Sequence, residues 1–155
     1  RGSGHNKLGG YTENADEYVE VVDRLRRKFD TAAELVPEPV TETLNKSNCV
    51  IVTLGSCDGA VRETRSKLAA DGVQTDYMRI RAFPFSKSVV KFLAGYSQVF
   101  VVEQNRDAQF CNLLQTEAGV SVDKLIPILS YGGMPIACED IYGPILEKIS
   151  QGKAA

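Results

Sequence analysis

A continuous apolar run that stops abruptly at a block of polar residues is the feature that most constrains the fold of this 155-residue chain. Val99 to Val102 are all apolar, and the polar residues follow at once, interrupted only by Ala108: Glu103, Gln104, Asn105, Arg106, Asp107 and Gln109. An unalternating apolar run is typical of a parallel strand that is buried on both faces. Open α/β sheets deliver polar groups at the carboxyl ends of such strands, so we expect a functional edge here.

The same strand-then-helix unit recurs before and after this run. Cys49 to Leu54 is a short β-branched run, and Asp58 is placed to cap a helix from about Gly59 to Ala70. Val73 to Ile80 predicts a second strand, followed by a helix capped by Ser86. The third helix carries Phe110, Leu113 and Leu114 and ends near Gly119, and the fourth strand, Leu125 to Leu129, belongs at a sheet edge because Pro127 interrupts it.

Each strand-then-helix unit is about 25 residues long. Such units connect parallel strands through right-handed crossovers. The pattern therefore predicts an α/β fold with three layers, α/β/α, around a mostly parallel sheet of about five strands. Ile141, Ile145 and Ile149 supply the buried face of a terminal helix, and Pro144 predicts either a kink or a fresh helix start there.

Four segments are predicted along the chain. Residues 1–13 are polar and glycine-rich and form a connector, and residues 14–36 form an amphipathic linking helix that ends before Pro37. Asn14 and Glu17 have the spacing of a capping box at the start of this helix. Its apolar side chains recur at helical spacing: Tyr18, Val22, Leu25, Phe29 and Ala32. Residues 37–151 form the α/β domain, and residues 152–155 form a tail.

Charge and apolar patterning exclude two classes of partner. The net charge is −2 and the basic residues are dispersed, so we expect neither nucleic acid nor an anionic membrane as a partner. No apolar run approaches the ~20 residues that span a bilayer. We therefore expect a cytoplasmic protein. Because the chain lacks an initiator methionine and starts at a glycine-rich stretch, we also expect it to be a segment of a longer polypeptide.

The cysteines and the histidine offer no recognisable metal or nucleophile motif. Cys49, Cys57, Cys111 and Cys138 are far apart without a Cys-x-x-Cys pair, and His5 is the only histidine. Neither a zinc site nor an iron-sulfur cluster is predicted, and we expect reduced thiols in or near the core.

The turn from Gly55 to Gly59 offers backbone amides and a helix start to a phosphate, with Ser56 and Asp58 as weak cofactor-binding candidates. It lacks the G-x-G-x-x-G and G-x-x-x-x-G-K patterns, so an ordinary turn is the stronger interpretation. A phosphoacceptor receiver is excluded because the strands do not end in the acidic residues that it needs. A flavodoxin-type domain is disfavoured because the phosphate loop is poor and tryptophan is lacking.

Two interpretations of the polar block stay open, and direct catalysis by it is not expected. It either forms an internal network that fixes the start of the next helix, or it contacts another domain or subunit. Arg79 and Arg81 lie on one face of their strand, and a carboxylate such as Glu103 or an adjacent domain is a candidate to pair with them. The predicted interface set is therefore the polar block with Arg81: Glu103, Gln104, Asn105, Arg106, Asp107, Gln109 and Arg81.

The block Glu103 to Gln109, read EQNRDAQ, also resembles the C-terminal transketolase-like domain of the alpha subunit of 2-oxoacid:ferredoxin oxidoreductases. Four further segments agree in order: RGSGHNKLG at 1–9, GSCD at 55–58, RIRAFPF at 79–85 and YGGMPI at 131–136. The resemblance covers nearly all of the chain.

The resemblance implies a thiamine-diphosphate enzyme that oxidatively decarboxylates a 2-oxoacid with coenzyme A and passes electrons through iron-sulfur clusters to ferredoxin. In such enzymes the diphosphate, the magnesium and the cluster lie mainly in the beta subunit, while other alpha-subunit domains bind the aminopyrimidine ring and the substrate. This segment is then expected to bind no cofactor and to pack against other alpha-subunit domains and the beta subunit. The EQNRDAQ form of the block at 103–109 favours 2-oxoglutarate over pyruvate as the substrate. The alternative is a free-standing module of Rossmann-like fold that binds a small molecule or nucleotide near Ser56 and Gln104.

Overall fold

The computed structural model describes residues 4–44 and 47–153, and it begins with a small hairpin. Strand β1 (Gly4–His5) pairs antiparallel with β2 (Tyr11–Thr12), within the segment predicted as a connector. The side-chain oxygen of Asn6 accepts the backbone N–H groups of Leu8 at 3.1 Å and Gly10 at 3.0 Å, which fixes the turn. Residues 1–3 of the predicted connector and residues 154–155 of the predicted tail lie outside the described residues.

Helix α1 (Ala15–Leu35) begins at Asn14, whose side chain accepts the backbone N–H groups of Asp16 and Glu17. The predicted Asn14 cap and the predicted end before Pro37 are both confirmed. The second half of the capping box is wrong, because the backbone N–H of Asn14 donates to the hydroxyl of Thr12 at 3.1 Å rather than to Glu17. None of the residues of α1 is buried, although its sequence carries a regular apolar stripe.

A five-stranded sheet with the order β3-β5-β4-β6-β7 forms the centre of the fold. Its strands are β3 (Val40–Glu42), β4 (Cys49–Leu54), β5 (Asp76–Ile80), β6 (Gln98–Glu103) and β7 (Leu125–Leu129). All neighbours are parallel except β3, which runs antiparallel to β5. The predicted mostly parallel sheet is confirmed, and Pro127 lies in an edge strand as expected.

Four helices cover the two faces of the sheet: α2 (Asp58–Ala70), α3 (Lys87–Leu93), α4 (Gln109–Ala118) and α5 (Cys138–Lys153). One core layer joins α3 and α4 to the sheet, and the other joins α2 and α5 to its opposite face. The central strand residues are fully buried, as their unbroken apolar runs predict: Val50, Ile51, Val52, Val99, Phe100, Val101 and Val102. The three-layer architecture is therefore confirmed.

Several local predictions are wrong. Asp58 does not cap α2, because a 3-10 turn over Gly55–Cys57 leads into the helix and the Asp58 carboxylate binds other groups. Ser86 stands at the cap position of α3, but its hydroxyl binds Glu38 instead. Strand β5 begins at Asp76 rather than at Val73, because the N–H of Val73 bonds back to the end of α2. Helix α5 continues through Pro144, so the predicted fresh helix start there is wrong, and the alternative of a kink stays a prediction.

Candidate functional site

The carboxyl ends of the parallel strands meet at one edge of the sheet. Strands β4 and β6 are in register there, with Thr53 opposite Val102, and Glu103 lies opposite Leu129 of β7. The turn after β4, the polar block after β6 and the segment after β7 are consequently neighbours. The sequence predicts a functional edge at this place, and the structure gives the contacts that each polar residue makes there.

Glu103 is buried at 2% exposure and serves as the missing cap of helix α4. Its carboxylate accepts the backbone N–H groups of Phe110 at 2.8 Å and Cys111 at 3.0 Å, and the side-chain amide of Asn105. Helix α4 itself offers only Ala108 at the cap position, which has no side-chain acceptor. A carboxylate placed against the free N–H groups and positive dipole end of a helix is stabilising.

Asn105 fixes the backbone between the strand and the helix. Its side-chain oxygen accepts the N–H groups of Asp107 and Gln109, both at 3.1 Å. Ala108 is held in the left-handed region with φ 50°, a conformation that costs a residue with a Cβ about 1–2 kcal/mol. Glu103 and Asn105 thus belong to an internal network that forces the chain into a tight entry to α4.

The remaining polar side chains of the block point outward. Gln104, Arg106, Asp107 and Gln109 are exposed, and the ion pair of Arg106 is with its own neighbour Asp107, at 2.7 Å. The structure therefore divides the block into an inward pair and an outward set. An interface role for the outward set stays a prediction, and the buried Glu103 is a support beneath it.

Gln104 joins three loops at this edge. Its side-chain oxygen accepts the hydroxyl of Ser56 at 3.3 Å and the thiol of Cys57 at 3.7 Å, and its amide donates to the carbonyl of Met134 at 3.4 Å. A cavity of about 440 Å³ lies on one side, between the turn after β4 and the start of α4. A second cavity of about 520 Å³ lies on the other side, toward Tyr131. Ser56 borders both cavities, whereas Asp58 borders neither.

The two thiols near this edge are poor nucleophiles. Burial raises the pKa of Cys57, and burial together with the charge of Glu103 raises the pKa of Cys111. His5 lies in the hairpin, paired with Tyr11, and not at the edge. The arrangement therefore supplies hydrogen-bonding surface rather than an activated nucleophile with its base.

Arg79 pairs with a carboxylate, as expected, but that carboxylate is Asp58, and the predicted pairing of Arg79 or Arg81 with Glu103 is wrong. Arg79 donates to Asp58 at 3.5 Å and to the carbonyl of Gly55 at 3.3 Å, while Arg81 donates to the carbonyl of Glu38 at 2.7 Å. Glu103 instead lies against the start of α4, on another part of the sheet edge.

A second polar cluster, which the sequence reasoning missed, joins α2 to β3 and β5. The hydroxyl of buried Tyr77 donates to Asp58, which also accepts from Arg62 at 3.0 Å. Glu42 bridges Arg62 at 3.0 Å and Arg65 at 2.5 Å, and both guanidinium groups lie over the Tyr77 ring. The i,i+4 spacing of Asp58 and Arg62 was the available sequence signal, but it did not indicate Tyr77 or Glu42.

Two classes of site are not seen in the described part of the chain. In residues 4–44 and 47–153, no three or more His, Cys, Asp or Glu side chains are grouped closely enough to hold a metal ion. Over the same residues, no helix combines the length and apolar character that crossing a bilayer demands.

The fold and this edge define a three-layer α/β domain that presents hydrogen-bonding groups at its strand ends. The chain is 25% identical, over 98% of its length, to the 2-oxoacid:ferredoxin oxidoreductase subunit alpha of Saccharolobus solfataricus, and it spans 24% of that subunit. No family model matches the chain. The resemblance to 2-oxoacid:ferredoxin oxidoreductase alpha subunits that was read from the sequence is thereby confirmed.

Two solved structures share the fold. One is the 2-oxoglutarate:ferredoxin oxidoreductase from Magnetococcus marinus with 2-oxoglutarate, coenzyme A and succinyl-CoA bound. The match covers 94% of this chain and 25% of the Magnetococcus chain, with a TM-score of 0.78 and 24% sequence identity. The other is the alpha chain of a probable 2-oxoacid ferredoxin oxidoreductase from Thermoplasma acidophilum. The match covers 73% of this chain and 97% of the Thermoplasma chain, with a TM-score of 0.50 and 23% sequence identity. The chain thus corresponds to about a quarter of the Saccharolobus and Magnetococcus proteins.

Proposed function

We propose that this chain is the C-terminal assembly domain of the alpha subunit of a 2-oxoacid:ferredoxin oxidoreductase and is inactive as an isolated piece. The observation that carries the proposal is the similarity to alpha subunits over 98% of the chain, which accounts for only 24% of the relative's length. The edge geometry supports the same conclusion, because its polar groups cap a helix and face outward rather than converging on a reacting atom.

The reaction that we assign to the whole assembly is oxidative decarboxylation of 2-oxoglutarate to an acyl-coenzyme A, with ferredoxin as electron acceptor. Thiamine diphosphate, magnesium and an iron-sulfur cluster are required for it, and we assign them to other domains and to the beta subunit. The described side chains do not fit the metal or the cluster, since they form no group of metal-ligating residues. Cys57, Cys111 and Cys138 are buried thiols that form no disulfide, which supports a cytoplasmic assembly.

The contact surface that we propose is the outward set at the β6–α4 junction, with Arg81, which follows β5, two strands away along the same sheet edge. Gln104, Arg106, Asp107 and Gln109 are exposed while the network beneath them holds their backbone rigid. Rigid, polar, exposed groups suit a subunit or domain interface, because little side-chain and loop entropy remains to be lost on binding.

The experiment compares two variants of the chain for association with the partner beta subunit. Replacing Gln104, Arg106 and Gln109 by alanine should weaken association at least about tenfold while leaving the melting temperature within a few degrees. The matched control replaces Gln115 and Glu117, exposed on the same helix, and should leave association unchanged. Equal association of both variants would overturn the proposed surface.

The cavities beside Gln104 favour one alternative, a free-standing module that binds a small molecule between the ends of β4 and β6. Titration of the isolated chain with coenzyme A, thiamine diphosphate and nucleotides separates the two functions. The assembly domain predicts no saturable binding. Saturable binding that Gln104→Ala or Ser56→Ala abolishes would favour the module.

A further inference from the structure

Helix α1 and the hairpin before it form one unit, residues 4–35, which we call the arm. Lys7 of the hairpin pairs with Glu20 of α1 at 3.4 Å. Gly4 lies so close to the helix that a Cβ added to it would be 2.5 Å from the ring of Tyr18. The hairpin is therefore packed on α1 and keeps a fixed position relative to it.

Apolar packing does little to hold the arm against the α/β domain. None of the 21 residues of α1 is buried, and only Val21, Ala32 and Ala33 are half-buried. Where α1 faces the turn after β5, Phe29 and Phe83 line a cavity of about 580 Å³. Helices of globular proteins owe most of their stability to packing of an apolar face, so another kind of contact must set the direction of α1.

Glu38, just beyond α1, makes that contact with its side chain and its backbone. Its carboxylate accepts the hydroxyl of Ser86 at 3.0 Å and the hydroxyl of Ser88. Its backbone carbonyl accepts the guanidinium of Arg81 at 2.7 Å. The hydrogen bonds from the two serines lower the pKa of Glu38, as expected where a carboxylate is held in its charged form. Glu38 thus ties the end of the arm to the start of α3.

The other polar contact of the arm is weak. Glu34 pairs with Lys87 at 3.3 Å, but their side chains are 64% and 92% exposed. Ion pairs that exposed contribute little. Among residues 4–44 and 47–153, the hydrogen bonds and ion pairs between the segment 4–38 and the α/β domain come from these two glutamates. Glu38 is therefore the main polar attachment.

The connector that carries Glu38 is short and stiff. Glu38 stands between Pro37 and Pro39, and residues 36–39 belong to no helix or strand. Proline fixes its own φ and keeps the preceding residue out of the helical region, and Val36 is accordingly extended with ψ 154°. With the carboxylate bound, so short a connector leaves α1 a narrow choice of directions.

We propose that Glu38 is a latch that fixes the direction of the arm on the α/β domain. Release of its carboxylate lets the arm turn about residues 36–39 while the arm and the domain both stay folded. The arm carries the exposed apolar stripe of α1, so the latch sets where that stripe is presented. This device goes beyond the proposed function, does not depend on it, and uses residues away from the β6–α4 junction.

Distance measurement by double electron–electron resonance tests the latch. Spin labels are attached through a non-natural amino acid at positions 24 on α1 and 115 on α4, both exposed, so that the native cysteines stay unlabelled. The wild type should give a narrow distance distribution. Glu38→Ala should broaden it at least about twofold, as should Ser86→Ala with Ser88→Ala, because each change removes the hydrogen bonds of the latch. The matched control is Glu34→Ala, which removes the exposed ion pair and should leave the width unchanged.

Circular dichroism and thermal melting of each variant show whether both parts stay folded. A broad distribution in the wild type, a narrow one in Glu38→Ala or in the double serine variant, or equal broadening by Glu34→Ala would overturn the latch. Unfolding of the α/β domain by Glu38→Ala would overturn it as well, because Glu38 would then support the domain itself rather than the direction of the arm.

Discussion

At the scale of single residues, Glu103 caps the start of helix α4 from a distant position, although a helix is usually capped by the residue just before it. Its carboxylate comes from the end of a strand and caps a helix that begins six residues later, where Ala108 offers no acceptor of its own. Ala108 has a φ of 50°, and the hydrogen bonds of Asn105 and Glu103 on either side of it help to hold this conformation. One side chain therefore couples the order of the sheet edge to the position of α4.

Glu103→Gln tests that coupling. The substitution keeps the shape but removes the charge from the helix start and sets an amide group against backbone N–H donors, so we expect a loss of about 1–3 kcal/mol in the free energy of unfolding. Denaturant titration measures it. Glu117→Gln, exposed near the other end of α4, should change stability by less than about 0.5 kcal/mol. Equal effects would show that Glu103 does not support the helix.

The thiols of Cys57 and Cys111 give a second prediction. Both are buried and their pKa values are raised, so both should stay protonated at neutral pH and react slowly with a thiol reagent. In denaturant their reaction should become fast. Labelling of the native chain followed by peptide mass spectrometry checks this, and rapid labelling of Cys57 at pH 7 would contradict the burial and reveal an activated thiol at the edge.

At the scale of elements, the strands with unbroken apolar runs were predictable and the short or polar ones were not. The bounds of β4 were predicted correctly, because six residues of uniform character need cover on both faces. Strand β3 was missed, since it has only three residues, follows Pro39 and contains Thr41 and Glu42. It joins the sheet through antiparallel pairing with β5, which is a long-range contact that no local sequence pattern predicts.

The same limit applies to the candidate site. The density of polar residues after β6 indicated the edge itself, but the sequence left open which of them faced inward. That division depends on where α4 begins, because its free N–H groups select Glu103 and Asn105 and leave Gln104 and Arg106 outside. Asp58 was misassigned for a similar reason, since Tyr77 and Arg62 compete for its carboxylate.

The cluster that joins α2 to β5 should make stability depend on acid pH. Burial opposes ionisation of Asp58, but the hydrogen bond from Tyr77 and the charge of Arg62 outweigh it and lower the pKa of Asp58. A hydrogen bond from Arg65 likewise lowers the pKa of Glu42. A lowered folded-state pKa stabilises the fold above the unfolded pKa of about 4, and this stabilisation is lost as pH falls through the folded value.

Asp58→Asn should therefore cost about 1 kcal/mol at pH 7 and progressively less below about pH 4. Urea titrations of the wild type and the variant from neutral to acid pH measure the difference. Asp30→Asn, an exposed aspartate on α1, should differ little from the wild type across the range. A cost at Asp58 that is constant with pH would mean that its charge does not stabilise the fold.

At the scale of the whole molecule, the chain has the layers and the buried core of an α/β domain. It also has exposed polar and apolar side chains that are suited to contact with other protein surfaces. The outward set at the β6–α4 junction and the stripe of α1 are two separate surfaces of that kind. About a quarter of the length of its Saccharolobus relative is matched here. A domain that folds around its own core and contributes surfaces to a larger enzyme accounts for both observations.

The most direct test follows the chain through purification of the activity from its native cells. Extract is fractionated while the 2-oxoglutarate- and coenzyme A-dependent reduction of ferredoxin is assayed, and peptides of this chain are quantified in every fraction. We predict that the peptides and the activity co-fractionate through successive columns, and that the chain purified alone has no activity. Separation of the chain from the activity, or turnover by the isolated chain, would contradict its role as an assembly domain of that enzyme.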